Sequence, residues 1–225
     1  MPPSARRPIL FLLLGTLLFA CNKDDEPGGA TDAAFYEVTF IGRWSAQTHP
    51  TDYPAGASFS RPVGMVHNLF AQLFTAGTPA SPGLQALAEE GETQTLQSEL
   101  MGQLGLTVGT LLLGEPLSSG TDSAAFTIEV RQNYPLVSLA AKLSPSPDWF
   151  VAVLSVELFQ NGNWLDEVEV PVEVFDAGTD SGTTFDAPDQ PTFPPGTVQP
   201  LLAPPLGNGA GVSPPVAAFR FVRKS

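Results

Sequence analysis

The second half of the chain is a series of apolar runs with turn-rich links, and this pattern constrains the fold most. The last run, residues 164–175, places valines at every second position from Val168, with glutamates or proline between them. Because successive side chains of a strand point to opposite faces, this alternation predicts an antiparallel sheet with one buried face and one acidic, solvated face. Residues 161–163 read Asn-Gly-Asn, a hairpin signal between two runs. The other runs are 124–130, 135–143 and 149–159.

The first half of the chain adds one strand and two short helices. Residues 36–41 alternate between apolar and polar side chains, which predicts a half-buried strand. Ser81, Pro82 and Gly91 are the N-cap, first-turn and stop residues of a predicted helix. Leucines at helical spacing in residues 96–104 predict a second helix. Short strands with few helices, together with 23 prolines and 21 glycines, predict an all-β sandwich with long loops.

The size and charge of the chain narrow its possible partners. With 225 residues, 43% of them hydrophobic, the chain has enough apolar material for one domain with one good core. The formal net charge is −13. Phosphate binding requires clustered Lys and Arg, so this charge excludes nucleic acid as the expected partner. It favours cations or basic partners.

The first 21 residues, MPPSARRPILFLLLGTLLFAC, have the pattern of a targeting segment. Arg6 and Arg7 precede an apolar run, residues 9–19, that is too short for an ordinary membrane span. The letters LFAC, ending at Cys21, resemble the bacterial lipobox, which implies cleavage before Cys21 and lipidation of its sulfur. Cys21 is the only cysteine, so no disulfide forms within one chain. Loss of Arg6 and Arg7 leaves eight basic against 23 acidic residues, a formal charge of −15.

These features predict three regions. Residues 1–20 are a lipoprotein signal peptide, and residues 21–34, which are polar, acidic and glycine-rich, are a flexible tether. Residues 35–225 are the folded domain. Asn22 follows the cysteine in place of the aspartate that favours inner-membrane retention in some bacteria. We therefore expect an envelope protein of the outer membrane.

A crowded acidic loop follows the last of the apolar runs. Asp176, Asp180, Asp186 and Asp189 lie within fourteen residues, and their like charges must be offset by a cation, by protonation for acid catalysis, or by water. Asp148 precedes another predicted strand, so adjacent sandwich loops would bring it to Asp176 and Asp180. Calcium takes six to eight oxygen ligands, and three carboxylates with loop carbonyls suit it. A solvated loop with aspartate-capped turns is the alternative.

Enzymatic chemistry is an alternative interpretation of the same acidic loop. Residues 180–183 read DSGT, like the aspartic-protease signature, and residues 176–179 read DAGT. That chemistry needs two carboxylates about 3 Å apart on equivalent loops, which one short loop does not supply. A glycosidase pair of carboxylates remains open on spacing alone. His49 and His67 are the only histidines, eighteen residues apart, and are expected to be structural; zinc would need more His or Cys.

Four segments of the chain, residues 36–60, 63–68, 143–153 and 176–192, form a specific set. They include SPDW, residues 146–149, and DAGTDSG, residues 176–182, and the pairing of these two motifs at this separation is specific. Together the segments resemble the spondin amino-terminal domain, known from extracellular matrix proteins, and the resemblance extends over nearly all of the chain after residue 34. It implies an eight-stranded antiparallel β-sandwich similar to calcium- and lipid-binding sandwich domains, with one or two short helices.

The resemblance also implies a site and a class of function. The family carries calcium at loops on one end of the sandwich, and the positions that match its acidic ligands are Asp148, Asp176 and Asp180. Its members are adhesion and matrix-binding modules rather than enzymes. Trp44, His49 and Tyr53 belong to a family hallmark segment and are interpreted as packing residues of a long loop.

We therefore expect a bacterial lipoprotein whose calcium-binding domain is an adhesion or macromolecule-binding module. Its expected partners are the membrane, through lipidated Cys21, and an unknown protein or glycan at the cell surface, with no nucleic acid and no enzymatic activity. Two alternatives stay open. One is a metal-assisted hydrolase that uses the same aspartates, and the other is a purely structural envelope lipoprotein.

Overall fold

The computed structural model describes Met1 and residues 32–224, and those residues contain two helices and thirteen strands. The predicted signal peptide, Cys21 and most of the predicted tether lie outside the described residues. The helices are α1 (Pro82–Glu90) and α2 (Gln94–Met101). The strands are β1 (Ala33–Gly42), β2 (Ser58–Phe59), β3 (Val63–His67), β4 (Val108–Leu113), β5 (Ser123–Arg131), β6 (Leu136–Ser144), β7 (Trp149–Glu157), β8 (Phe159–Gln160), β9 (Asn163–Trp164), β10 (Glu167–Pro171), β11 (Glu173–Asp176), β12 (Gln199–Pro200) and β13 (Ala217–Arg223).

Two antiparallel sheets form a sandwich. The first sheet has the order β10-β13-β1-β5, and the second has the order β12-β11-β7-β6-β3-β4 with β2 added to β6. The short hairpin β8-β9 stands apart, and its turn at Asn161 and Gly162 has positive φ at both residues, as the sequence predicted. The antiparallel sandwich with short helices is therefore confirmed. Within residues 32–224, nine strands are four or more residues long, against the eight implied by the resemblance.

The main core lies between the two sheets. Tyr36, Val38 and Phe40 alternate along β1 and are fully buried, which confirms the predicted strand. Phe40 stacks on Phe219 of the neighbouring β13 with ring centroids 4.5 Å apart. The acidic, solvated face predicted from the alternation is the outer face of the first sheet, where Glu167 and its neighbours are exposed.

A second core lies between the second sheet and the two helices. Residues 136–143 of β6 are buried on both faces, because the first sheet covers one face and the helices cover the other. This explains why that stretch of sequence is almost continuously apolar. The second core includes Leu84, Leu87, Leu96, Leu100, Met65 and Phe150.

The first helix begins and ends as the sequence predicts. The Ser81 hydroxyl accepts a hydrogen bond from the Leu84 N–H at 3.2 Å, and Pro82 is the first helical residue. Gly91 ends the helix in the left-handed conformation with φ of 72°. The second helix ends at Met101, so Leu104, which was expected to continue its apolar face, lies beyond it.

The run of residues 164–175 is not one strand, and this prediction was wrong. It contributes β10 to the first sheet, where it pairs with β13, and β11 to the second sheet, where it pairs with β7. The chain crosses between the sheets at Val172, whose N–H donates to the Ala217 carbonyl at 3.1 Å. Alternation persists because both sheets face the same core. A periodic pattern reports which face is buried, but not which strand is the partner.

β1 already includes Ala33 and Ala34, so regular structure begins inside the stretch assigned to the tether. Among residues 32–224, neither helix has the length and apolar content needed to cross a bilayer.

Candidate metal centre at the acidic end of the sandwich

The structure brings the three predicted aspartates to one end of the second sheet. Asp148 immediately precedes β7, and Asp176 is the last residue of β11, opposite Trp149 in the β7–β11 pairing. Asp180 lies in the loop that follows β11. The backbone N–H groups of Thr179 and Asp180 donate to Asp148 Oδ2 at 2.8 and 3.1 Å. We call this loop region the acidic end.

Asp148 is a buried carboxylate, and one of its two oxygens has no hydrogen-bond partner among the described residues. Its side chain is 0% exposed, and Oδ2 accepts the two backbone N–H groups and a third hydrogen bond from the Thr179 hydroxyl at 3.3 Å. Among the described residues, Oδ1 has no hydrogen-bond partner. A buried, unpaired carboxylate oxygen is costly, and native structures satisfy such groups with water, protein or an ion. Oδ1 is therefore the place where a ligand would be most strongly favoured.

Burial and neighbouring carboxylates both disfavour the ionised form of Asp148. Burial, with the nearby Asp176 charge, raises the pKa of Asp148 to about 6, although the N–H groups of Asp180 and Thr179 oppose this shift. Burial also raises the pKa of Asp176, against the hydrogen bond that Gly178 N–H donates to its Oδ1 at 2.8 Å. A positive charge beside the pair would favour ionisation of both groups.

Asp180 has a different local role, because both of its oxygens are engaged by the backbone. Oδ1 accepts the Gly182 N–H at 2.6 Å, and Oδ2 accepts the Gln190 N–H at 2.7 Å. Asp180 thus ties the two sides of the acidic loop together. The outer aspartates, Asp186 and Asp189, are exposed, so the solvated-loop interpretation applies to them.

The donor set decides which metals fit. Within residues 32–224, no three His, Cys, Asp or Glu side chains converge closely enough to hold an ion by themselves. An ion at Asp148 would need backbone carbonyls and water as additional ligands. Calcium accepts such an all-oxygen, mixed shell, whereas structural zinc takes four Cys or His ligands. The residues present fit calcium better than a transition metal.

Sequence reasoning missed a buried lysine beside the acidic end. Lys142 of β6 is 7% exposed, and its Nζ donates to the carbonyls of Ala88 and Ser146 at 2.7 and 2.8 Å. Burial lowers the pKa of Lys142 to about 8, while the negative charges of Asp148, Glu89 and Asp180 act in the opposite direction. Lys142 therefore offsets part of the crowded charge from within the protein. The signal for it was a lone lysine in an otherwise apolar strand.

Aromatic packing fixes the acidic loop to the main core. Phe185 is 5% exposed, and its ring centroid lies 5.4 Å from that of Trp44 and 5.5 Å from that of Trp149. The Tyr53 hydroxyl donates to the Trp44 carbonyl at 3.1 Å, and His49 Nε2 lies 2.8 Å from the Pro214 carbonyl. Trp44, His49 and Tyr53 therefore pack the long loop, as predicted.

His67 is also structural, as predicted. It is fully buried, and its ring nitrogens lie 2.8 Å from the Asn68 carbonyl and 2.8 Å from the Ser138 hydroxyl. The Ser155 N–H donates to the same Ser138 hydroxyl at 2.9 Å, so this side-chain cluster ties together β3, β6 and β7. Burial lowers the pKa of His67 and so favours its neutral form.

Comparison with known proteins agrees with the fold and with the quoted motifs. The Spondin_N family model matches residues 34–205. Spondin-2 of Rattus norvegicus is 33% identical over 207 residues, which cover 86% of this chain and 63% of the relative. Spondin-2 of Homo sapiens is 32% identical over 203 residues, which cover 84% of this chain and 61% of the relative. Spondin-1 of Bos taurus is 31% identical over 202 residues, which cover 81% of this chain and 25% of the relative.

The chain thus spans less than two thirds of the spondin-2 proteins and a quarter of spondin-1. The family match covers well over half of the chain and includes both loops that form the acidic end. The chain belongs to the spondin amino-terminal domain family.

Proposed function

We propose that this protein is a lipid-anchored bacterial envelope protein whose spondin domain binds another macromolecule at the cell surface, with calcium held at the acidic end. The relatives are spondins, and an extracellular adhesion or binding role is the function that this kinship favours. Cys21, the only cysteine, is the proposed site of lipid attachment.

One observation carries the calcium part of the proposal: the unpartnered Oδ1 of the fully buried Asp148. Asp148 and Asp176 are the proposed acidic ligands, and loop carbonyls and water complete the shell. Asp180, the third predicted aspartate, acts through the backbone N–H groups that it accepts instead of through the ion. Bound calcium supplies two positive charges that offset the mutual repulsion of these carboxylates. Asp148 Oδ2 meanwhile holds the turn at residues 179–180 through its hydrogen bonds, and Asp180 holds the turn at residues 182–190.

Thermal unfolding with and without calcium tests this site. Saturating calcium should raise the melting temperature of the wild-type chain, and excess EGTA should reverse the rise. In Asp148→Asn, the amide oxygen is needed by the three donors, so the NH₂ group takes the place of Oδ1 and repels a cation. That variant should show no calcium response. Asp189→Asn, an exposed aspartate on the same loop, is the matched control and should respond as the wild type does.

A binding assay tests the adhesion role separately. Retention on an array of defined glycans and matrix proteins should require calcium, should fail in Asp148→Asn, and should persist in Asp189→Asn. If no immobilised ligand retains the protein in calcium or in EGTA, the binding role falls and a structural envelope role takes its place.

Mass spectrometry of the amino-terminal peptide tests the anchor. We expect protein purified from membranes to begin at Cys21 and to carry acyl chains, and Cys21→Ala to leave the membrane fraction. A free thiol at residue 21, or an uncleaved chain, would overturn lipid anchoring without affecting the calcium prediction.

A further inference from the structure

Exposed apolar side chains are concentrated in two neighbouring loops. Leu69 and Phe70, which follow β3, are 81% and 87% exposed, and Leu106, which precedes β4, is 75% exposed. The Asn68 N–H donates to the Thr107 carbonyl at 3.0 Å, and Asn68 Nδ2 donates to the Leu106 carbonyl at 3.3 Å, so the two loops adjoin. Met101 and Leu104 add further exposed apolar surface between α2 and β4. We call these loops, residues 68–70 and 101–107, the apolar end.

The apolar end is also the end at which the described chain begins. Ala33, the first residue of β1, pairs with Arg131, the last residue of β5. A short turn then leads into β6, whose first residue, Leu136, pairs with His67. His67 directly precedes the exposed loop at residues 68–70. The start of the domain and the apolar end therefore lie on the same side of the sandwich.

The length of chain before the domain limits how far this end can lie from a membrane anchor. Ten residues, 22–31, separate the proposed lipid on Cys21 from Asp32. Fully extended, the eleven Cα–Cα steps from Cys21 to Asp32 reach at most about 40 Å. A bilayer that holds Cys21 therefore lies within about 40 Å of Asp32, and the apolar end is on the same side of the sandwich as Asp32.

The charge distribution favours the same orientation. The acidic end lies at the opposite end of β6, which has nine residues and is about 30 Å long. On the side of the sandwich that carries the apolar end, by contrast, three basic residues at the ends of β5 and β13 pair with carboxylates. These pairs are Arg131–Glu129, Arg223–Asp166 and Lys224–Glu37. An anionic bilayer surface repels carboxylates that no basic residue offsets. The apolar end should therefore approach such a surface more favourably than the acidic end does.

We propose that the apolar end docks on the lipid bilayer, with Leu69, Phe70 and Leu106 inserted into the interfacial region and the acidic end turned away from the membrane. This inference rests on the proposed anchor at Cys21. Large apolar side chains that are exposed beside a lipid attachment add contact area to an anchor that would otherwise act alone. The acidic end is then presented outward, where a soluble cation and a macromolecular partner have access to it.

The sole cysteine permits a test that does not depend on lipidation by the cell. The chain from Cys21 to Ser225 is coupled through its thiol to vesicles of phosphatidylethanolamine and phosphatidylglycerol that contain a maleimide lipid. The reporter is Phe70→Trp, and the matched control is Phe193→Trp. Phe193 is 96% exposed and follows Thr192, whose N–H donates to the Thr179 carbonyl beside the acidic end. The native tryptophans, Trp44, Trp149 and Trp164, are buried and give a constant background.

On vesicles, tryptophan at position 70 should shift its emission to shorter wavelength and be quenched several-fold more by brominated lipids than tryptophan at position 193. Adding Leu69→Ser and Leu106→Ser to the reporter should reduce that quenching. Equal quenching at both positions, or none at position 70, would overturn the proposal.

Sedimentation distinguishes docking on the bilayer from dimerisation, in which a second copy of the chain covers the apolar end. If the apolar end is covered by another molecule of this chain, the uncoupled protein sediments as a dimer, and tryptophan at position 70 emits at short wavelength without lipid. That result also overturns docking on the bilayer. A free thiol on Cys21 in cells would instead refute the proposed anchor, while the maleimide vesicles would still report whether the apolar end meets lipid.

Discussion

The two ends of the sandwich depart from the usual distribution of residues in opposite ways. The acidic end buries charged groups, whereas the apolar end exposes large hydrophobic side chains. Most of the domain follows the ordinary pattern of apolar interior and polar surface. We assign a role beyond folding to each departure: the proposed cation site at one end and the proposed bilayer contact at the other.

Two phenylalanines express the same contrast. Phe185, in the acidic loop, is 5% exposed and packs between two tryptophan rings, whereas Phe70, at the apolar end, is 87% exposed. The same side chain therefore fixes a loop to the core in one place and faces solvent in the other. If the comparison is correct, truncating each should have very different effects on folding.

The largest expected effect is the loss of stability in Phe185→Ala. Truncating a buried phenylalanine typically costs about 3–5 kcal/mol, whereas truncating an exposed one changes stability by about 0.5 kcal/mol or less. Urea unfolding of Phe185→Ala and Phe70→Ala should reproduce this difference. Comparable losses in the two variants would show that the apolar end is packed in solution, which contradicts the contrast.

A second test is the pH dependence of stability in EGTA. Folding raises the pKa of Asp148 from its ordinary 3.8 to about 6, so the folded state binds the Asp148 proton more tightly than the unfolded state does. The resulting stabilisation is complete below about pH 4 and is lost as the pH rises through 6. The change corresponds to roughly 3 kcal/mol.

Urea unfolding at a series of pH values measures this loss, and Asp148→Asn is the control. In the asparagine variant, the free energy of unfolding should no longer decline between pH 4 and 6 through this group, while the contributions of the other titrating groups stay the same. An unchanged profile in Asp148→Asn would show that Asp148 is not the group responsible.

Asp180→Asn should have a smaller effect that is independent of calcium. Asparagine can accept one of the two backbone N–H groups that Asp180 binds, and its NH₂ group then faces the other. We expect a loss of about 1–3 kcal/mol in EGTA, the usual cost of an unsatisfied buried donor. Asp189→Asn should be neutral. If Asp180→Asn is as stable as the wild type in EGTA, Asp180 does not tie the loop together.

The smallest expected effect concerns Lys142. Lys142→Met removes a positive charge that acts on Asp148, so the pKa of Asp148 should rise further above its ordinary value. Carboxyl chemical shifts from NMR in EGTA would report this titration. A pKa of Asp148 that is unchanged in Lys142→Met would mean that the lysine does not offset the charge of the acidic end.

The sequence predicted most strands and the first helix because these depend on local periodicity and caps. It also predicted that Asp148, Asp176 and Asp180 lie close together, because each is at or just beyond the end of a strand on the same side of the sheet. It missed β4, whose buried and exposed positions do not alternate regularly. It missed the change of sheet at Val172, because both sheets bury the same face of the chain.

Other features of the acidic end depend on three-dimensional packing and have no local signature. The unpartnered Oδ1 of Asp148 exists only because the turn at residues 179–180 engages Oδ2 and the surrounding loops exclude water. Lys142 acts on Asp148 from a different strand. The apolar end is likewise visible only once β3 and β4 are paired, since Phe70 and Leu106 are distant in sequence.

The most direct test of calcium binding at the acidic end is a calorimetric titration of calcium into the metal-free chain at neutral pH. We predict one saturable site in the wild type, no detectable site in Asp148→Asn, and an unchanged site in Asp189→Asn. Absence of binding heat and of any competition with a calcium indicator in the wild type, or equal affinity in Asp148→Asn, would contradict the account.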